Sequence, residues 1–501
     1  MKIKKSSVPG TASVADVGGI RISAEEFLNS YEYGPAFVKR EKDSQRRYLE
    51  FMIYEKLLAK EGYSKGLDTT GELKEMLADI KGDLASEQMY REDIWNKIRI
   101  GKAAIESGIK KSLITYNIRW IYKKSLEEIS DDFAGIKNGL PFDSLFNAQL
   151  NESITYDLRS VETNAFKLAR NNPALKSIID SLKAGEISNP VKTPDGFYIV
   201  RLDNIWKNMA VTETEYEKLK YDVRTTLFRD KADSLSDIYV QKLMKRESPV
   251  IERLTFNMLK AVLGKKLLVP TQYAEWDMLK NIHPFEPGFN PDEAARWMDR
   301  NLVQLKSGTV TLGDFFRWYR TREPYIKLNE TSHQAFFQSL EQTVWRMVRD
   351  RLLTAEAEKR KFDRSENVKR QVKWWEDKLV FSKMKLEIAA GIKVDSISVK
   401  DYYEKNIRQY VDDKGAKKPF EEVKNDARND LYAFEYTKKL INRVLGLKER
   451  TKITINSKIL NALPADIKDD SGAIDVYSVK NGGTFMHQAF PVIDYEWQYM
   501  N

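Results

Sequence analysis

Hydrophobic positions recur every three to four residues along most of this 501-residue chain. Stretches such as "QRRYLEFMIY" and "QSLEQTVWRMV" have this spacing, which is typical of amphipathic helices. The pattern changes between about Leu113 and Asn208, where "YNIRWIYK" (Tyr116–Lys123) alternates β-branched and aromatic residues with polar ones. The chain is therefore predicted to be mainly α-helical, with one small segment that contains strands.

The strand-containing segment has its own order of elements. After Tyr116–Lys123, a helix is predicted to break near Gly139 and to be followed by a short helical turn and by the strand-like "ITYDLRSVET". A helix over "NPALKSIIDSLKAGE" follows, with Asn172 as its cap and Gly185 at its end. Two strands, "ISNPV" and "GFYIVRLDNI", are joined by the turn Thr193–Gly196. This order predicts a small α+β domain with a mostly antiparallel sheet.

The chain also contains an internal repeat. The sequences "ISAEEFLNSY" and "VTLGDFFRWY" align without a gap at a numbering offset of 288, the distance from Ser23 to Thr311. Ser23 with Glu26 forms a predicted capping box at a helix start, and Thr311 with Asp314 is its weaker counterpart.

Two further matches follow in the same order. "EKLLAKEGYSKGLD" matches "DRLLTAEAEKRKFD" at an offset of 295, from Glu55 to Asp350. "YEKLKYDVRTTL" matches "FEEVKNDARNDL" at an offset of 204, from Tyr216 to Phe420. The offset therefore falls by 91 residues, which predicts a domain-sized insertion in the first repeat.

Charge and residue types narrow the chemistry. The net charge is +9, but the 83 basic and 74 acidic residues alternate along the helices without a separate basic stripe, so no nucleic-acid partner is predicted. The absence of cysteine excludes disulfides, thiol catalysis and zinc–thiolate sites. His283, His333 and His487 have no ligand spacing, so neither a metal nor any other cofactor is expected.

The compartment stays open at this stage. No apolar run approaches membrane-spanning length, so no integral membrane segment is predicted. The basic N-terminus lacks the apolar region of an intact signal peptide. The chain is expected to be either cytoplasmic or a mature form whose signal has been removed.

Three stretches together carry a family resemblance: "NIRWIY", "GLPFDSLF" and "LKAGEISNPVKTPDGFYIVRL". They resemble the parvulin (PpiC-type) peptidyl-prolyl isomerase domain, and the flanking helices resemble the chaperone modules of the SurA and PrsA type. The resemblance implies two SurA-like helical modules in tandem, of which the first carries an inserted parvulin-like domain. The predicted domains are a first module in which 11–112 pairs with 209–265, a parvulin-like domain at 113–208, a linker at 266–304, a second module without isomerase at 305–465, and an extended tail at 466–501.

The site residues follow from this resemblance. Parvulins typically place two facing histidines and a Cys or Asp beneath the amide, and here Trp120 and Tyr198 stand at the two histidine positions. Asp157 is a loose match to the acidic position. These vestigial positions imply a weak or inactive isomerase. Trp120, Phe142 and Tyr198 are predicted to bind extended or proline-containing peptide; the alternative is that bulky residues fill the former site as core.

The resemblance implies a periplasmic or cell-envelope chaperone that binds unfolded or partly folded client proteins. One alternative is an active isomerase that uses Trp120 and Tyr198 in a different way. Another alternative is that the protein is a scaffold subunit of a secretion or outer-membrane assembly machine. That machine would then be the partner of this chain.

Overall fold

The structure is a computed structural model that describes residues 8–40, 43–193, 195–208, 211–323, 326–464 and 490–500. Most of the described residues are helical, as the hydrophobic periodicity predicts. The strands are β1 (Ser13–Val17), β2 (Ile20–Ser23), β3 (Ile114–Lys123), β4 (Ser160–Asn164), β5 (Val191–Thr193), β6 (Gly196–Lys207), β7 (Val250–Ile251), β8 (Asn301–Leu305), β9 (Gly308–Thr311) and β10 (Ile453–Ile455). The helices are α1 (Ala24–Tyr33), α2 (Ala36–Lys39), α3 (Ser44–Ser64), α4 (Gly71–Asp93), α5 (Lys102–Ser112), α6 (Leu126–Lys137), α7 (Phe142–Ala148), α8 (Ala165–Asn171), α9 (Pro173–Ile179), α10 (Glu213–Glu247), α11 (Arg253–Leu267), α12 (Pro270–Trp276), α13 (Leu312–Arg320), α14 (His333–Lys359), α15 (Glu366–Ala390), α16 (Ser396–Lys405), α17 (Phe420–Arg450) and α18 (Ser457–Ala462).

The chain divides into two units. The sheet unit comprises residues 94–235, and the helical unit comprises the residues up to Asp93 together with those from Ser236 onwards. The boundary between the units falls inside α10.

The sheet unit contains a four-stranded antiparallel sheet in the order β4-β3-β6-β5. Because side chains alternate across a strand, even-numbered residues of β3 pack with α8 and α9, and Ile121 packs with α6 and α7 on the other face. The predicted antiparallel sheet is confirmed. Asn172 caps α9 as predicted, accepting from the Leu175 amide at 2.9 Å, but α9 ends at Ile179, well before Gly185.

Elements of the helical unit recur at constant offsets. β1, β2 and α1 begin 288 residues before β8, β9 and α13, and α4 begins 295 residues before α15. Gly66 and Lys361, also 295 residues apart, both adopt left-handed backbone conformations, with φ of 70° and 64°. A lysine rarely adopts this conformation, so its occurrence at the matching position marks a shared turn geometry.

Each hairpin pairs with a strand from the other repeat. The β1–β2 hairpin pairs with β10, which follows the second long helix, α17, and the β8–β9 hairpin pairs with β7, which follows the first long helix, α10. Helix α3 packs on α15, and α14 packs on α4. The predicted pairing of 11–112 with 209–265 is therefore not found in the sheets, because β1 pairs with β10 and β7 pairs with β8. Both hairpins offer an open edge to a short strand, so the local sequence does not choose between the two partners.

A buried ionic cluster holds α3 against α15. Lys56 Nζ lies 2.6 Å from Glu26 Oε1 and 2.8 Å from Asp377 Oδ2. At the neighbouring positions the charges are reversed, because Lys378 Nζ contacts Glu55 at 2.8 Å. The two adjacent pairs thus join the same helices with opposite polarity.

The predicted strengths of the two helix caps are reversed. Ser23 accepts from the Glu26 amide at 3.1 Å, but the Glu26 carboxylate is directed to the buried Lys56. The full reciprocal box forms at Thr311 and Asp314, with bonds of 3.1 and 2.9 Å. Satisfying the buried lysine takes precedence over the helix cap in the first case.

Part of the predicted extended tail lies in the core. Trp497 is only 1% exposed and stacks between Phe51 and Phe381, with ring centroids 6.2 Å from each. Its indole Nε1 donates to Glu55 Oε1 at 3.0 Å. The family resemblance, which does not extend beyond Pro464, gives no indication of this core contact. Residues 466–489 and 501 of the predicted tail lie outside the described residues.

The predicted linker 266–304 is also part of the folded structure. It contains the end of α11, all of α12 and most of β8. Met278, Ile282 and Phe289 are buried against α11 residues. These three apolar side chains are therefore core residues of the helical unit.

We expect Trp497→Ala to destabilise the protein by about 3–5 kcal/mol, because it removes a buried ring and leaves a cavity. Tyr499→Ala is the matched control, since Tyr499 is 64% exposed and its replacement is expected to cost less than about 0.5 kcal/mol. Urea unfolding of the two variants measures the difference. Equal, small losses would show that residues 490–500 are not part of the core.

Candidate functional site

Trp120 and Tyr198, the two residues at the predicted histidine positions, lie on the same face of the sheet. Trp120 is on β3 and Tyr198 is on β6, where they are diagonal neighbours in the strand register. Both are half-buried and pack against the cluster that contains Ile118 and Val200, on the face covered by α8 and α9.

A second tyrosine completes the site. Tyr122 is directly opposite Tyr198, and the ring centroids lie 5.1 Å apart at an angle of 57°. The hydroxyl of Tyr122 donates to the backbone oxygen of Asp195 at 2.6 Å, and the hydroxyl of Tyr198 donates to the Asp195 carboxylate at 2.5 Å. Both rings are thus fastened to the turn between β5 and β6.

Glycine is required at position 196 by this arrangement. Gly196 has a φ of 155°, and an added Cβ would lie 2.6 Å from the Tyr122 ring and 2.7 Å from the Lys123 carbonyl oxygen. Any side chain here would displace the Tyr122 ring or the neighbouring strand.

The hydrogen bonds at the turn set the charges of the site. Burial, followed by the nearby Asp195 carboxylate, raises the pKa of Tyr198 to about 12. Hydrogen bonds from the Thr193 hydroxyl and then from Tyr198 lower the pKa of Asp195. Tyr198 is therefore a neutral phenol near pH 7, able to donate a hydrogen bond but not to act as a base.

The acidic residue at this site differs from the predicted one. Asp157 is exposed on the turn Tyr156–Leu158 that precedes β4. The carboxylate that reaches Tyr198 belongs to Asp195. Sequence reasoning assigned Asp195 only to a turn. Two features of the sequence could have identified these residues. Side chains alternate along a strand, which places Tyr122 on the same face as Trp120. Asp195 directly precedes Gly196 in the turn that leads into the strand of Tyr198.

Arg159 adds a positive charge beside the tyrosines. Its guanidinium carbon lies 5.3 Å from the centroid of the Tyr122 ring, within cation–π range. Its backbone oxygen accepts from the Trp120 amide at 3.1 Å. The site therefore combines three aromatic side chains with one carboxylate and one guanidinium.

Phe142, predicted to join this site, lies on the opposite face of the sheet. It starts α7, is 3% exposed and packs with Ile121, Phe146 and Ile199. Trp120 and Tyr198 pack in the other cluster. The prediction that Phe142 shares a peptide groove with them is therefore wrong, because it was placed by sequence similarity without knowledge of which face α7 covers.

Phe142 instead supports an ionic network. Arg119 and Arg201 are directly opposite each other on β3 and β6. Asp203 accepts from Arg119 at 2.6 and 2.8 Å, and Asp143 accepts from Arg119 and Arg201 at 2.6 and 3.1 Å. Both guanidinium groups lie over the Phe142 ring, at 5.8 and 5.7 Å. Although partial burial opposes it, these hydrogen bonds lower the pKa of Asp143.

Within the described residues, no cluster of three or more His, Asp or Glu side chains could hold a metal ion. The helices that the structure describes include none with the length and apolar character needed to cross a membrane.

Residues 123–215 match the family model described as the PPIC-type PPIASE domain. The matched range includes Tyr198 and begins after Trp120. A curated relative, foldase protein PrsA 2 of Bacillus cereus, is 22% identical over 258 residues, which cover 48% of this chain and 82% of that protein.

Solved structures of similar proteins include the peptidylprolyl isomerase PrsA from Bacillus anthracis, at 15% identity and a TM-score of 0.22, covering 30% of this chain and 62% of that one. PrsA from Bacillus cereus is 15% identical, with a TM-score of 0.22, and the match covers 45% and 87% of the two chains. Foldase protein PrsA from Streptococcus pneumoniae is 13% identical, with a TM-score of 0.22 and coverage of 44% and 87%.

The position of Phe142 predicts a structural role. Phe142→Ala is expected to destabilise the sheet unit by about 3–5 kcal/mol, because it opens a cavity under two guanidinium groups. Trp206→Ala is a control, since Trp206 is an exposed aromatic residue on β6. Thermal unfolding followed by circular dichroism compares them, and a Phe142→Ala protein as stable as the control would contradict the assignment.

Proposed function

We propose that this chain, whose residues 123–215 match the PPIC-type PPIASE domain model, is a foldase-type chaperone that binds unfolded polypeptides while its isomerase site is weak or inactive. The weak or inactive isomerase is inferred from the cluster of Trp120, Tyr122 and Tyr198, in which both tyrosine hydroxyls donate to Asp195.

The chemistry of the site supports weak catalysis. Rotation about a prolyl bond is slow without a catalyst, and a catalyst must favour the twisted amide over the planar one. Residues 94–235 contain no histidine. The one hydroxyl at a former histidine position, that of Tyr198, already donates to Asp195. A bound prolyl peptide would have to compete with this carboxylate for the donor.

An active isomerase is the second candidate, and one observation favours it. Tyr198 remains protonated up to high pH and lies beside the half-buried Trp120, so a donor and an aromatic surface stand together. A proline ring packs well on such a surface.

The helical unit is proposed to bind clients. We interpret its recurring elements as two SurA-like modules in tandem, and the constant offsets of 288 and 295 between matching element starts support this interpretation. Exposed large apolar side chains occur on α15, α16 and α17, at Leu386, Ile397, Tyr432 and Phe434. Contacts of this kind can hold an unfolded chain reversibly and prevent its aggregation.

We place the protein in the cell envelope, in the periplasm if the cell has two membranes. The resemblance to SurA- and PrsA-type chaperones supports this, and a chain without cysteine tolerates an oxidising compartment.

Two assays on the same preparation test the proposal. We expect the full chain to suppress the aggregation of a chemically unfolded protein at about equimolar ratio. It should accelerate proline isomerisation in a short peptide by less than about twofold over the uncatalysed rate. Failure to suppress aggregation would refute the chaperone function, and strong acceleration would favour the active isomerase.

Any residual isomerase activity is expected to be flat with pH. A catalytic histidine would titrate near pH 6.5, whereas Tyr198 stays protonated because its pKa is about 12. The rate should therefore be constant between about pH 6 and 9 and should fall in Tyr198→Phe, which lacks the donor. A pH profile with a midpoint near neutrality would contradict the absence of a histidine-like group.

A further inference from the structure

Two grooves of the helical unit are equivalent under the internal repeat. The tail groove lies between α3 and α15 and is filled by Pro491, Val492 and Ile493, which leave a cavity of only about 20 Å³. The open groove lies between α4, α13 and α14 and has a volume of about 470 Å³.

The equivalence is position by position. The tail groove has eight lining residues outside the tail, and each has a counterpart 288 or 295 positions away that lines the open groove. Met52, for example, corresponds to Met347, and Glu55 corresponds to Asp350. The same structural site is therefore built twice, once occupied by a segment of this chain and once with a much larger cavity.

The tail shows how such a groove holds a peptide. Residues 491–494 are in neither a helix nor a strand. The Asp494 amide donates to Glu55 Oε1 at 2.8 Å, and the Asp494 carboxylate accepts from Lys378 at 2.7 Å. The groove thus binds a non-helical segment through a backbone amide and through one charged side chain.

One cation that holds the acidic tail is replaced by an acid in the open groove. Lys378, which pairs with Asp494, corresponds to Asp83. Lys385, which also pairs with Asp494 but lies outside the tail-groove lining, corresponds to the uncharged Tyr90. The lining of the open groove contains six carboxylates and four arginines. Arg322, only 2% exposed, already places its guanidinium near Asp79 and Asp83, at 3.6 and 3.3 Å. Because the lining has two more carboxylates than guanidinium groups, it favours a cationic side chain over an anionic one.

We propose that the open groove binds a non-helical segment of an unfolded polypeptide through its backbone and a lysine or arginine side chain. The proposal rests on the chaperone function for the identity of the occupant. The groove itself and the excess of carboxylates in its lining are independent of that function.

A charge-reversed copy of the tail is a direct probe. The probe is a fluorescein-labelled peptide with the sequence of residues 490–500 in which Asp494 and Glu496 are both replaced by lysine (D494K, E496K). The unaltered peptide serves as the acidic comparison. Binding to the full chain is followed by fluorescence anisotropy at low and moderate salt.

We expect saturable binding of the charge-reversed probe, at least about tenfold tighter than that of the unaltered peptide and weaker at higher salt. Ala78→Trp and Ala355→Trp place bulk at exposed helical positions lining the groove, and Glu358→Lys reverses an exposed charge there. Each should weaken binding at least about tenfold. Ala433→Trp and Glu404→Lys are the matched controls at exposed positions outside the groove and should bind as the unchanged chain does.

Lack of saturable binding, or groove variants that bind like their controls, would overturn the proposal. Circular dichroism checks that each variant is folded. The two tryptophan variants obstruct the open groove from two different helices, so each tests the proposal independently. Aggregation suppression by the same samples separates the two claims: suppression without probe binding refutes only the groove, and probe binding without suppression refutes only the chaperone function.

Discussion

The helical unit depends on two adjacent buried ion pairs of opposite polarity. Glu55 faces Lys378, and Lys56 faces Asp377 and Glu26. Removing charges from water is costly, so each must meet a partner of opposite sign. A shift of one residue between α3 and α15 would bring Glu55 towards Asp377 in one direction, or Lys56 towards Lys378 in the other. We interpret the reversed pairs as the device that sets the alignment of the beginning of the chain with its second half.

The remaining features of the unit follow from that alignment. With α3 fixed on α15, the β1–β2 hairpin pairs with β10. Glu55 is held where it accepts from both Asp494 and Trp497 of the C-terminal segment. Although burial alone would raise it, the nearby Lys378 and Lys385 lower the pKa of Asp494 to about 2. The segment is therefore held by charge as well as by its buried indole.

Local features could be predicted from the sequence, and choices between distant partners could not. Most strands and helices of residues 114–207 follow from periodicity, turn residues and caps, all of which act over a few positions. Helix α8 was not predicted, and β4 and β5 overlap the predicted strands "ITYDLRSVET" and "ISNPV" only in part. Lys56 resembles a solvated helix residue in sequence, and only the packing of α15 makes it a buried one. Trp120 and Tyr198 were identified through the family resemblance, whereas Asp195 was assigned only to a turn and Phe142 was assigned to the wrong face.

The two units suggest a division of roles. Residues 123–215 match the PPIC-type PPIASE domain model, and Trp120 and Tyr198 pack in one cluster of the sheet unit. The helical unit offers exposed apolar side chains and two charged grooves built on one plan. We propose that the helices carry client binding. Hydrogen–deuterium exchange of the full chain with and without an unfolded client tests this most directly. The account predicts slower exchange at residues 75–83 and 347–358, and slowing confined to residues 116–122 and 196–200 would contradict it.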